Sequence, residues 1–268
     1  VHEWKKLRGR PREEAFKEHV ITDLKPYDGS KSSDNEDFKA TMRNLKTLKL
    51  LVQSNEMSRY EFRSVRKLPT NQRFMEQLEQ TWLGNCQKSL RELDLGFRTH
   101  VGFYSKLDLR GLEIARLKVL KLTKITLTHQ WQIDWICSHG PTLEILSLIE
   151  TPIIVQATTR MVLDEESYPI EHQPLLQLPE TVLTFHLKWS EIQDQIRERL
   201  PDLRAFEQEF MYSADYDDDD EWRVPVTIDC CPFRYITYDV GFIDESAPIV
   251  RQLHKEEYNA DSSAYERL

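Results

Sequence analysis

Four cysteines, eight histidines and 45 acidic residues are the groups in this chain of 268 residues that could carry chemistry. Cys137 and His139 stand two apart in a stretch that reads as helix. That spacing turns their side chains to different faces, so it does not predict a thiolate–imidazole pair. Cys230 and Cys231 are adjacent and have no second pair at zinc-ligand spacing. Adjacent cysteines do not read as a disulfide framework either, and no Asn-x-Ser/Thr site occurs. Both observations point to a reducing, cytoplasmic or nuclear setting. The sequence holds no G-x-S-x-G elbow, no H-E-x-x-H helix and no glycine-rich phosphate loop, and it has only eight glycines. Asp215, Asp217, Asp218, Asp219, Asp220 and Glu221 form an acidic block without the spacing or the glycine of a calcium loop. It reads as a solvated loop or as a contact for a basic partner. The expectation is a chain that is not an enzyme and takes no metal or cofactor.

The charge balance narrows the partners. Lys and Arg number 36 against 45 acids, for a net charge of −9, whereas non-specific nucleic-acid binding needs a basic surface to displace counterions. No run of about 18 apolar residues is present to span a membrane. His2 to Arg12 is polar and basic, without the apolar core of a secretory signal. With 40% hydrophobic and 30% charged residues the chain reads as folded. What remains is a protein partner, with no nucleic acid and no membrane.

A repeat supplies the scaffold. The pattern L-x-x-L-x-L occurs at Leu45, Leu48, Leu50; at Leu90, Leu93, Leu95; at Leu117, Leu120, Leu122; and at Leu143, Leu146, Leu148. Looser copies lie at Val182, Phe185, Leu187 and at Phe233, Ile236, Tyr238. Leu203 and Phe206 begin another, which Gln208 breaks. The steps from Leu90 to Leu117 and on to Leu143 are 27 and 26 residues, inside the usual leucine-rich period, and the other steps are irregular. In a strand alternate side chains face opposite sides, so the second and third leucines of each copy point together into a core. Each unit is too small to bury that face alone and must stack on its neighbours. The segment returning from each strand is expected to be helical. Phe74, Leu78 and Trp82; Trp131 and Trp135; and Ile192, Ile196 and Leu200 have helical spacing. Ser190 with Gln193 reads as a capping box.

The pattern thus predicts an α/β fold: an irregular leucine-rich-repeat solenoid with a parallel β-sheet on the concave face and helices on the convex face. Residues 1–40 read as an N-terminal helix (Pro11 to Leu24) and a mobile loop. Residues 41–245 read as the repeat domain. Residues 246–268 read as a C-terminal capping helix whose tail frays from Asp261 onward.

Within this frame, His129 to Ile154, HQWQIDWICSHGPTLEILSLIETPII, resembles the leucine-rich portion of fungal F-box proteins, in which a short aromatic helix precedes T-L-E-x-L-x-L. Trp131, Asp134, Trp135, Ile136, Ser138, His139, Thr142, Leu143, Glu144, Leu146 and Leu148 carry the likeness, which extends in style over residues 41 to 245. The resemblance implies a substrate-recognition subunit of a cullin–RING ubiquitin ligase, whose adaptor docks on an F-box. No F-box is found here. The only Leu-Pro-Glu, Leu178 to Glu180, runs into a strand-like stretch, so the F-box is expected upstream of Val1 or missing from this member.

In such a frame the contact residues are the alternate ones on the inner curve. Those chosen are Lys49, Glu92, Asp94, Lys121, Ser147, His186, Lys188, Glu207, Tyr235 and Asp239. Their charges change sign from repeat to repeat, which suits one folded protein with a matching pattern.

Overall fold

The computed structural model describes residues 36–52, 74–75, 78–170, 179–209, 235–239, 242–244 and 248–268. The expected helix from Pro11 to Leu24, the acidic block, and Cys230 and Cys231 lie outside them.

Five strands form one all-parallel sheet: β1 (Thr47–Val52), β2 (Glu92–Val101), β3 (Val119–Ile125), β4 (Ile145–Ile149) and, from later in the chain, β7 (Ala205–Glu209), side by side in that order. The register sets repeat upon repeat. Leu48 pairs with Leu93, Leu93 with Leu120, Leu120 with Leu146, and Leu146 with Phe206. Leu50, Leu95, Leu122 and Leu148 align in the same way. These eight leucines are buried in one core with Leu90, Leu117 and Leu143. Full burial of an aliphatic side chain contributes about 1.5–3 kcal/mol, so every rung adds to one continuous core.

Helices cover the leucine face. Short helix α1 (Glu36–Asn44), which the sequence did not suggest, buries Met42. The segment from Leu78 coils more widely than expected, as a π-turn (Leu78–Leu83) followed by α2 (Gly84–Cys86). Wider coiling brings residues five apart together, and Leu78 and Leu83 are both fully buried. A Cβ at Gly84 would come within 2.9 Å of the Glu79 carbonyl oxygen, so this turn requires glycine. Helices α3 (Gln130–Cys137) and α4 (Trp189–Arg199) lie where their spacing placed them and bury Ile133, Trp135, Ile136, Ile192 and Ile196. Trp131 is only half-buried.

Several expectations need correction. The return from β2 to β3 is not helical; it is a run of turns in which Leu107, Leu109, Leu112 and Ile114 are buried. The looser copies do not join the parallel sheet. They enter a second sheet with the strand order β6-β5-β8-β9, built from β5 (Ile153–Thr159), β6 (Thr181–Thr184), β8 (Tyr235–Asp239) and β9 (Phe242–Asp244). There β6 runs antiparallel to β5, and β8 runs parallel to it. Phe185 and Leu187, expected in the main core strands, are half-buried beyond the end of β6. The copy that Gln208 breaks is the one that supplies the fifth parallel strand. Gln208 is buried there with its Oε1 accepting from Gln193 Nε2 of α4 at 3.3 Å, while its own Nε2 has no hydrogen-bond partner. The capping box assigned to Ser190 and Gln193 is not formed, because the cap of α4 is Lys188 and carries no side-chain cap bond.

The last correction concerns the C-terminus. Helix α5 (Pro248–Arg267) continues through the expected frayed tail. Asp261 is buried and holds it in place. Its Oδ1 accepts the Ser190 N–H of α4 at 2.8 Å, and its Oδ2 accepts the Tyr235 hydroxyl of β8 at 2.9 Å. The Tyr235 oxygen in turn accepts the Trp189 N–H at 3.0 Å. Two otherwise orphaned amides at the start of α4 are thus capped from other elements.

Candidate functional site

Because strands alternate their side chains, the face opposite the leucines carries the intervening residues. The register makes three rungs of it, the last being Leu51, Gly96, Thr123, Ile149 and Glu209. One reads Thr47, Glu92, Val119, Ile145, Ala205; the next reads Lys49, Asp94, Lys121, Ser147, Glu207. Neighbouring strands lie about 4.8 Å apart, so in the second rung basic and acidic groups alternate at close range over the first three strands. Lys49, Glu92 and Glu207 are exposed, and Asp94 and Lys121 are half-buried. Among the described residues Ile145 is one of the few large apolar side chains that are exposed. Opposite charges directly across a strand pair stabilise by about 0.2–1 kcal/mol each.

Six of the ten expected contact residues therefore share one face: Lys49, Glu92, Asp94, Lys121, Ser147 and Glu207. Ser147 is fully buried, and its hydroxyl donates to Glu207 Oε2 at 2.8 Å; it orients the carboxylate rather than offering itself. The other four stand elsewhere. Tyr235 is buried and caps α4, and burial first, then the Asp261 charge, pushes its hydroxyl pKa up. Lys188 precedes α4 and gives its ammonium to Glu257 of α5 at 2.7 Å, which raises its pKa. His186 is exposed between β6 and α4. Asp239 ends β8, paired with Phe242.

The borders of the face are set by ion pairs. Lys118 and Arg204 both reach Glu144 where β3, β7 and β4 begin. Lys124 and Glu150 pair at 3.2 Å at equivalent places near the other end of β3 and β4. Both have left-handed backbone, φ 61° and 47°, which is uncommon for residues with a Cβ.

A second polar cluster was missed by sequence reading. Lys106 bridges Asp164 and Glu166, each at 2.8 Å, and its ammonium lies 4.5 Å from the centre of the Tyr168 ring. Arg110 pairs with Asp108 and with Glu166 (2.6 Å), and stacks 4.7 Å from Trp131. The two cations, Arg110 first, hold the Glu166 carboxyl down at about 2. His129 stacks on Tyr168 at 4.6 Å. Its Nε2 lies 2.9 Å from the Glu166 carbonyl and its Nδ1 2.7 Å from the Thr128 hydroxyl. Burial lowers the His129 pKa, and a neutral ring that donates from Nε2 and accepts at Nδ1 fits both contacts. Below it Gln132 accepts the Thr128 and His129 amides and donates to the Thr126 carbonyl. The only sequence sign of this cluster is that Lys106, Asp108 and Arg110 alternate in charge; the acids Asp164 and Glu166 that join them lie more than fifty residues away.

Among the described residues, no group of three or more His, Cys, Asp or Glu side chains could hold a metal ion. Cys86 and Cys137 are buried, which pushes each thiol up to about 11, so both are protonated and unreactive at neutral pH. No described helix is long and apolar enough to cross a membrane. In comparison with known proteins, the chain matches no family model, no curated protein and no solved structure.

Proposed function

We propose that the chain is a non-enzymatic protein-binding module, a leucine-rich-repeat solenoid whose charged sheet face meets one folded protein partner in the cytoplasm or nucleus. The observation that carries this reading is the in-register rung Lys49, Asp94, Lys121, Ser147, Glu207 on five adjacent parallel strands, backed by stacked leucines. A face of alternating sign discriminates: it penalises a partner whose like charges come opposite its own. Half-exposed Val119 and exposed Ile145 beside the charges add an apolar centre of the sort that interfaces combine with a polar rim.

The resemblance of His129 to Ile154 to fungal F-box proteins extends the proposal to a substrate receptor of a cullin–RING ligase. The matching residues run from α3 through the turn after it into β4. The test is affinity capture from an extract, with the wild-type chain against Glu92→Lys, Asp94→Lys and Lys121→Glu combined. The expected result is a specific partner lost by the triple variant at a nearly unchanged melting temperature. Undiminished capture overturns the face as the binding site. Adaptor and cullin among the captured proteins support the ligase role; a partner without them leaves a leucine-rich scaffold and overturns that role.

A further inference from the structure

Strand β6 closes one edge of the second sheet, and its sequence, Thr-Val-Leu-Thr, is all strand-forming residues without a charge or a proline. Sheet edges of this composition are templates for pairing with another strand, and proteins commonly guard them with lysine, proline or a covering segment. Here Thr181, Val182 and Thr184 are exposed, Val182 at 53%. Among the described residues no strand pairs with the outer side of β6.

The hydrogen-bond pattern shows which groups that edge offers. Phe185 N–H donates to the Val155 carbonyl, and the register pairs Leu183 with Ala157 and Thr181 with Thr159. In an antiparallel pair bonded and non-bonded positions alternate. Thr181, Leu183 and Phe185 therefore turn their backbone groups to β5, and Val182 and Thr184 turn theirs outward, followed by Glu180 and His186.

We infer that this edge pairs with the same edge of a second copy of the chain, antiparallel, across a two-fold axis at Leu183. A two-fold axis normal to the sheet keeps each side chain on its own face, so only registers centred on a residue are allowed. Centred on Leu183, Val182 meets Thr184 of the other copy in a bonded pair, twice, which gives four main-chain hydrogen bonds. The same register sets Glu180, whose Oε2 also holds Arg160 of its own chain at 3.2 Å, against His186 of the other copy, again twice, so that the other carboxylate oxygen can accept an imidazole N–H. It also brings the two half-buried Leu183 side chains together above the second core, where Leu183 and Phe185 already pack. Centring on Val182 loses the Glu180–His186 match. The product is a continuous eight-stranded sheet. A strand pair this short buries less than the about 1,200 Å² at the low end of stable complexes, so the dimer dissociates between about 1 µM and about 1 mM.

Sedimentation velocity on the full chain over that concentration range tests it. The expected result is a reversible monomer–dimer equilibrium that Val182→Pro abolishes. That substitution removes an outward N–H but no bond to β5, so melting and the hydrogen-exchange protection of the Leu183 amide should persist. Glu180→Lys weakens association about tenfold or more, and so does His186→Glu; the two substitutions together restore it, which fixes the register. A wild-type chain that stays monomeric throughout overturns the proposal. So does dimerisation undiminished in Val182→Pro, which would place the contact elsewhere. Val182 and Thr184 amides already protected in a monomer would show the edge covered by the chain itself, and would overturn it as well.

Discussion

The two sheets share a chain and differ in how they are held. In the parallel sheet one residue type stacks on itself: leucine on leucine over four strands, twice. Its strength comes from repetition, and no single polar bond decides its register. The second sheet has no repetition. It mixes parallel and antiparallel pairs, its core is Phe103, Tyr104, Tyr168 and Tyr238 with a few aliphatic residues, and it is tied to the helices through single contacts such as Tyr235 to Asp261. The first architecture tolerates a change at its surface and resists one at its centre. The second concentrates its dependence in a handful of hydroxyls and carboxylates.

That contrast can be broken by experiment. The largest effect is expected at Leu120→Ala or Leu93→Ala, each fully buried in mid-sheet; chemical denaturation should show a loss of about 2–5 kcal/mol. The same truncation at Val182 of β6 should cost less than about 1 kcal/mol, and equal losses would erase the distinction. Next comes Tyr235→Phe. It strips the Trp189 amide and Asp261 of a buried partner, and about 1–3 kcal/mol should be lost without any change in core volume.

The acids sharpen the comparison through pH. Burial raises the Asp261 carboxyl above its ordinary value, against the pull of its hydrogen bonds, so its charged form is less favoured in the folded chain than in the unfolded one. Its contribution is fully present below the unfolded carboxyl value and is lost as pH rises through the folded one. Relative to Asp261→Asn, the wild type should therefore gain stability as pH falls from 7 to about 4. Glu166 has the opposite sign. Held down by Arg110 and Lys106 to about 2, it stabilises above the ordinary carboxylate range and loses this as pH falls toward 2. Its side chain is about a third exposed, so Glu166→Gln should cost no more than about 1 kcal/mol at neutral pH. Melting curves of both variants at two pH values check the opposed slopes. The smallest effect is expected at Glu207→Gln, within about 0.5 kcal/mol.

What the sequence revealed follows the same division. Repetition is visible without partners, so Leu48 to Leu148 could be placed on strands and most helices could be put between them. Val182, Phe185 and Leu187 misled because alternation of apolar residues marks a strand without saying which neighbour it takes. Gln208 misled in the other direction, since the amide that meets its buried oxygen belongs to Gln193 on a helix. Asp261 looked like part of a polar tail because Ser190 and Tyr235, which bury it, are 71 and 26 positions away. The charged face was legible for the five parallel strands and failed at Tyr235 and Lys188, once the repeat no longer governed the chain.

The pairing of β5 with β8 sets the order in which the molecule is completed. Neighbouring strands of the leucine ladder follow one another at short chain distances, and contacts of that kind form early. Ile153 must instead wait for Tyr235, 82 residues further on, a larger loop whose closure carries a greater entropy cost. During synthesis β5 emerges well before its parallel neighbour, with an uncovered edge of Ile153, Ile154 and Val155. The interval between the two is a time in which that edge is open to mispairing.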